Sequence, residues 1–261
     1  MELNKIAQWV LRTPTLFTAS PNTPIVEYFP ANINDQPSYP DIGNEYTGNY
    51  RLGFVYQYVC EQLIRHHPNY SILAEEIQLN KENGQTLGAI DLILSNLNTE
   101  GIEHWEVAIK FYLLKEGIWY GPNAHDQLDK KLDRMLSHQL MMSQTTLFKE
   151  QYPQWPQLDP KLLIQGRLYT NPFENEPVPN QCLNASLNTE RIKGYWCYRS
   201  QVHLITSKLY HLNKPEWITG KTQDSKEVTE FGEKFIHCQD ENGVFWFIMP
   251  EHWPESTKVK S

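Results

Sequence analysis

Asp91, Glu106 and Lys110 are the residues whose types and spacing could do chemistry together. Asp91 interrupts "GAIDLIL", a stretch that is otherwise apolar. An acid in such a strand is costly unless it is paired or binds a cation. In "HWEVAIKFYLL", His104 to Leu114, the odd positions from Trp105 to Leu113 form one apolar face of a strand. The even positions carry His104, Glu106, Ala108, Lys110 and Tyr112, so Glu106 and Lys110 share a face with only alanine between them. The connection "SNLNTEGIE" has the length to make the two segments neighbouring strands, which would bring Asp91 and Glu106 together. Adjacent carboxylates repel, and either one holds its proton or the pair recruits a divalent cation. Oxygen-only donors suit Mg²⁺ or Mn²⁺ rather than zinc. A lysine nearby would position a water or stabilise charge developing on a phosphate. The same Glu/Lys pair also reads as an ordinary salt pair on a solvated strand face, with Asp91 as another partner of Lys110.

The elements that must position these residues follow from periodicity. "MELNKIAQWVLRT" spaces Leu3, Ile6, Ala7, Val10 and Leu11 as a helix. A Pro/Asn-rich passage from Pro14 to Tyr50 follows, with one short strand expected at "IVEYF". Leu52, Val55, Tyr56, Val59, Cys60, Leu63 and Ile64 form the stripe of an amphipathic helix that ends before Pro68. Asn83-Gly84 in "KENGQ" marks a hairpin between two strands, and the Glu106 strand comes next. "EGIWYG" is a further short strand. Leu128, Leu132, Leu136 and Leu140 predict a second long helix started after Pro122 and Asn123, and "KLLIQGRLYT" a buried strand behind it. Beyond the loop "NPFENEPVPN", a helix near Ser200 to His211 and a terminal strand "VFWFIMP" are expected.

Helix, three strands, helix, strand, with an Asp on the second strand and Glu plus Lys on the third, resembles the PD-(D/E)XK nuclease superfamily. A closer resemblance covers nearly the whole chain. "RLGFVYQ", "TLGAIDLIL", "WEVAIKFYL", "GPNAHDQLDKKL" and "QGRLY", with the opening "VLRTPTLF" and the closing "FWFIMPEHWP", are similar to a bacterial family catalogued as domain of unknown function 1853. The nuclease resemblance implies that Asp91 and Glu106 hold the metal and that Lys110 assists attack of water on a phosphodiester. Two positions depart from that pattern. The superfamily lysine would fall at Ala108, and here it stands one same-face step on, at Lys110. The superfamily often has a helical Glu after a Leu-Gly pair, where this chain has Gln57, with Glu61 or Glu76 as substitutes.

Composition sets the remaining bounds. Net charge is −8 over 261 residues, which gives no whole-surface attraction for nucleic acid or anionic lipid. Cys60, Cys182, Cys197 and Cys238 are scattered, unlike a zinc site or a disulfide framework, and fit a reducing cytoplasm. No window spans a membrane and no signal peptide is evident. No glycine-rich phosphate loop is present, and His66 and His67 read as helix-end residues. On the second long helix, Lys130 is a candidate positive charge for the site and Gln139 a candidate to face it, although a solvent-facing stripe of charges is the better account of Asp126, Asp129 and Lys130. Arg191 to Lys214 contains no acid and carries +5, leaving −13 for the rest. Arg191, Lys193, Arg199 and Lys208 there, interleaved with tyrosines and Trp196, form a candidate nucleic-acid contact, or a soluble surface over an aromatic core.

The expectation is therefore an α/β protein: one domain over residues 1–261, with a central mixed sheet flanked by helices. Residues 51–170 would form a restriction-endonuclease-like αβββαβ core and residues 171–261 a C-terminal extension or small subdomain. The expected function is a Mg²⁺- or Mn²⁺-dependent phosphodiesterase on nucleic acid. The alternative is a catalytically silent nuclease-like module that binds a protein or nucleic-acid partner.

Overall fold

The computed structural model describes residues 2–21, 23–30, 40–43 and 45–255. Part of the Pro/Asn-rich passage thus lies outside the described residues. The protein is mixed α/β and divides into two compact units, Met1–Ile109 with Leu132–Gln165, and Lys110–Lys131 with Gly166–Ser261.

In the first unit, α1 (Leu3–Arg12) buries the five apolar residues of its stripe. Helix α2 (Leu52–Arg65) does the same with Val55, Tyr56, Val59, Cys60, Leu63 and Ile64, as its spacing predicts. Strands β1 (Tyr70–Asn80) and β2 (Thr86–Asn96) form an antiparallel hairpin. Its turn uses Asn83, whose Oδ1 accepts from the Gln85 amide at 3.0 Å, and Gly84, whose φ of +78° suits glycine. β2 pairs antiparallel with β3 (Gly101–Lys115), which runs on into the second unit. The expected strand at "IVEYF" is reduced to one bridge, Ile25 with Leu162 of β5 (Asp159–Thr170). Tyr56 of α2 donates to Gln165 of β5 at 2.6 Å, and that amide donates to the carbonyls of Val10 and Thr13. A buried glutamine so satisfied ties α1, α2 and β5 together.

The single long helix expected after Asn123 is broken. It is helical as α3 (Leu128–Arg134), then widens to a π-turn over Met135–Gln139, where the Leu140 amide bonds the Met135 carbonyl at 2.9 Å. A 3-10 turn, Met142–Gln144, and α4 (Thr146–Gln151) follow. One residue inserted into the hydrogen-bond ladder rotates every later side chain, so the leucine periodicity overstated the helix.

The second unit contains β4 (Ile118–Tyr120), which pairs with β3, and the end of β5. From β5 the strand order is β5, β8 (Ile192–Tyr198), β11 (Phe245–Met249), β10 (Ile236–Asp240) and β9 (Leu209–His211), after a two-residue hairpin of β6 (Gln181–Cys182) and β7 (Ala185–Ser186). β5–β8 and β8–β11 are parallel and the others antiparallel, so the sheet is mixed. The helix expected near Ser200 to His211 is a 3-10 turn, Arg199–Leu204, before β9; α5 (Glu216–Thr219) lies beyond. Gly166 is required where β5 passes β3, because a Cβ there would lie 1.7 Å from the Lys110 carbonyl oxygen. All four cysteines are buried and unpaired by disulfide. Among the described residues, no helix is long and apolar enough to cross a membrane.

Candidate functional site

The β2–β3 ladder ends at Leu92 opposite Trp105, and one further step in that register sets Asp91 opposite Glu106. There a side chain takes over from the ladder: Asp91 Oδ2 accepts from the Val107 amide at 3.0 Å. On the other side of β2, the pairs Glu75–Leu92 and Ile77–Ile90 bracket Glu76 opposite Asp91. Glu76 holds a φ of +50°, a left-handed backbone that a glutamate adopts only under constraint. Glu76, Asp91 and Glu106 thus form a row across three strands. It runs from an exposed residue through a half-buried one to Glu106, which is fully buried.

Helix α2 adds a fourth carboxylate. Gln57 Nε2 donates to Glu61 Oε1 at 3.1 Å and to Glu76 Oε1 at 3.4 Å, linking helix and strand. Burial pushes the Glu61 carboxyl up to about 7, with Glu75 and Glu76 adding to the effect and Gln57 and Arg65 opposing it. Arg65 itself is engaged by Glu75 at 2.6 Å.

Gln139 and His104 both hold Glu106. Gln139, carried on the π-turn, donates to its Oε2 at 2.6 Å, and His104 Nε2 lies 3.2 Å from its Oε1. Burial pushes the His104 imidazole down to about 4, so near neutral pH it is uncharged and the contact with Glu106 is a hydrogen bond rather than an ion pair. His104 Nδ1 lies 2.8 Å from the Ser143 hydroxyl, so the imidazole bridges Ser143 and Glu106, and the Leu140 carbonyl also accepts from the ring. The chain Ser143–His104–Glu106–Gln139 orients the carboxylate as outer-shell partners orient metal ligands. The strand pattern placed His104 on the face of Glu106 without giving it a role. Ser143 carried no sequence signal, because its position depends on the broken helix.

The other expected residues are placed differently. The Lys110 ammonium pairs with Asp126 Oδ2 at 3.2 Å, and Tyr112 donates to the same oxygen at 3.1 Å. Lys130 is exposed. In the basic segment, Arg191 is buried and bonds the Gly166 carbonyl through Nε and Nη2 at 3.2 and 2.7 Å. Arg199 bonds the Lys234 carbonyl at 3.2 Å, Lys208 pairs with Glu227 at 3.2 Å, and Lys193 is exposed on β8.

Among the described residues, no group of three or more His, Cys, Asp or Glu side chains converges closely enough to hold a metal ion. The donors of the carboxylate row are nonetheless all oxygens, the set a hard divalent cation takes. Mg²⁺ commonly uses only one or two protein carboxylates and keeps waters on its other positions. Asp91 and Glu106 are the two carboxylates on neighbouring strands that could serve such a cation, with water on its other positions.

Comparisons with curated proteins and with solved structures find no match. A family model described as Domain of unknown function (DUF1853) matches residues 7–242, and the chain belongs to that family.

Proposed function

We propose that the carboxylate row binds Mg²⁺ or Mn²⁺ and that the protein is a nuclease-like phosphodiesterase acting on nucleic acid, with a core of PD-(D/E)XK type. The observation that carries this reading is the β2–β3 register, which one step past Leu92–Trp105 brings Asp91 to Glu106; Glu61 on α2, its carboxyl raised by burial and then by Glu75 and Glu76, supports it. Carboxylates gathered in this way cost free energy that a cation would offset. The cation would supply positive charge to a scissile phosphodiester and acidify a water. Asp91 keeps its place through the Val107 amide, and Glu106 through Gln139 and His104. Lys110 stands on the same strand and would aid the attacking water once released from Asp126.

A second reading, a catalytically silent module that binds a partner, is favoured by that Lys110–Asp126 pair and by alanine at position 108. Mn²⁺ titration by calorimetry, together with cleavage of labelled oligonucleotides, separates the two. The enzyme reading expects wild type to bind Mn²⁺ and cleave, and Asp91→Ala to do neither. Metal binding without cleavage supports the silent module. Equal, negligible binding in both proteins removes the metal site.

A further inference from the structure

Helix α2 presents a second group of exposed residues beside Gln57 and Glu61. Phe54 is 44% exposed and Tyr58 half-buried, and their i, i+4 spacing puts them on one side of the helix. The segment leading into α2 brings Tyr46 and Tyr50 to the same place. The Tyr46 ring lies 5.7 Å from Tyr50, edge-on, and 4.9 Å from Tyr58, tilted. The phenol hydroxyls fix these rings to backbone: Tyr46 to the Asn49 carbonyl at 2.9 Å, Tyr50 to the Tyr46 carbonyl at 2.9 Å, and Tyr58 to the Glu45 carbonyl at 3.2 Å. Gly48 permits the arrangement, because a Cβ there would fall 2.6 Å from the Tyr46 hydroxyl oxygen. The outcome is an interlocked aromatic group whose outermost ring, Tyr50, stays 62% exposed. Arg51, also exposed, stands between Tyr50 and the start of α2. The patch adjoins the carboxylates: the Tyr46 phenol is raised first by burial and then by the nearby Glu61 and Glu76.

We propose that Tyr50, braced by Tyr46, and Phe54, one helical turn from Tyr58, form a base-stacking platform, so that the ligand of this site is nucleic acid with unpaired bases. Flat aromatic faces accept any unpaired base, whereas bases within a duplex already stack on one another. Arg51 is the cation placed to meet a phosphate between two stacked bases. An extended peptide is a poorer occupant, since the hydroxyls that would bond its backbone are committed to the protein's own carbonyls. The choice of nucleic acid rests on the phosphodiesterase reading, but stacking does not require cleavage.

The test measures fluorescence anisotropy of a labelled oligothymidylate, an oligouridylate and a hairpin duplex in EDTA, and separately follows cleavage of the same probes with Mg²⁺ on denaturing gels. The proteins compared are wild type, Tyr50→Ala, Phe54→Ala, the double variant and Asp91→Ala. The expected result is that wild type prefers a single strand to the duplex, and that each aromatic substitution weakens single-strand binding by about tenfold. The melting temperature and the residual duplex binding should stay as in wild type. The DNA and RNA arms identify the sugar. Equal single-strand affinity in wild type and the double variant overturns the platform, as does a wild type that binds no single strand better than duplex. Asp91→Ala keeps the two readings apart. If neither it nor wild type cleaves, the phosphodiesterase reading fails, while loss of affinity in the double variant still establishes stacking.

Discussion

Gln139 donates a 2.6 Å hydrogen bond to Glu106, and it does so from a π-turn rather than from a regular helix. The added residue in that turn aims the amide at a fully buried carboxylate on β3. A widened turn gives up regular ladder geometry, and such turns recur at functional sites. Replacing Gln139 by Leu should therefore act on the site more than on the fold. The variant should melt lower, by about 1–3 kcal/mol of stability, since Glu106 loses a buried donor. Its Mn²⁺ affinity should fall about 10- to 100-fold, as when a ligand loses its outer-shell partner. Thermal melts and calorimetry check the two effects separately.

Buried His104 and half-buried Glu61 should give the stability opposing pH dependences. His104 has a folded value near 4 against an ordinary 6.5, so the unfolded chain binds its proton first. Its contribution is complete above pH 6.5 and is lost as pH falls toward 4, with a size of about 3 kcal/mol. Glu61 is raised from 4.5 to about 7, so the folded state keeps the proton longer and stability declines as pH rises across that window. His104→Gln should flatten the acid limb of a melting-temperature profile, and Glu61→Gln the limb from pH 4.5 to 7. Added Mn²⁺ should act like Glu61→Gln at pH 8 and have little effect at pH 5.

Lys110 separates the enzyme from the silent module. Its pair with Asp126 is partly exposed, at 26% and 35%, so Lys110→Ala should cost under about 1 kcal/mol of stability. If the lysine assists attack on the phosphodiester, the same change should lower cleavage by roughly 100-fold or more. Cleavage unchanged by Lys110→Ala would remove the lysine from the mechanism.

Gly166→Ala should be the most damaging small substitution. Its Cβ would meet the Lys110 carbonyl at 1.7 Å, and φ there is +155°. Backbone must shift on β3 or β5, with an expected loss of about 3 kcal/mol or more. The Arg191 contact to the Gly166 carbonyl would be displaced with it. A denaturant melt close to that of wild type would contradict the close approach.

The helices α1 and α2, the Asn83-Gly84 hairpin and the antiparallel pairing of the strands that carry Asp91 and Glu106 were legible in the sequence because each rests on local periodicity or turn chemistry. The π-turn was not: leucines at every fourth position look the same whether or not one residue is inserted between Met135 and Leu140. That break places Ser143 against His104 and sets the aim of Gln139, so the buried chain behind Glu106 could not be read in advance. Lys110 lies on β3 with Glu106, but its partner, Asp126, lies in a loop whose path periodicity does not encode. Arg191 read as a surface cation from charge alone, whereas its carbonyl partner depends on the packing around Gly166.

The central claim is that Asp91 and Glu106 share a divalent cation. Crystals of the wild-type protein soaked in Mn²⁺ test it most directly, through anomalous diffraction. The account predicts an anomalous peak within coordination distance of both carboxylates, and its loss in crystals of Asp91→Ala. A wild-type map with no peak there, at Mn²⁺ concentrations that saturate other carboxylate sites, would contradict it.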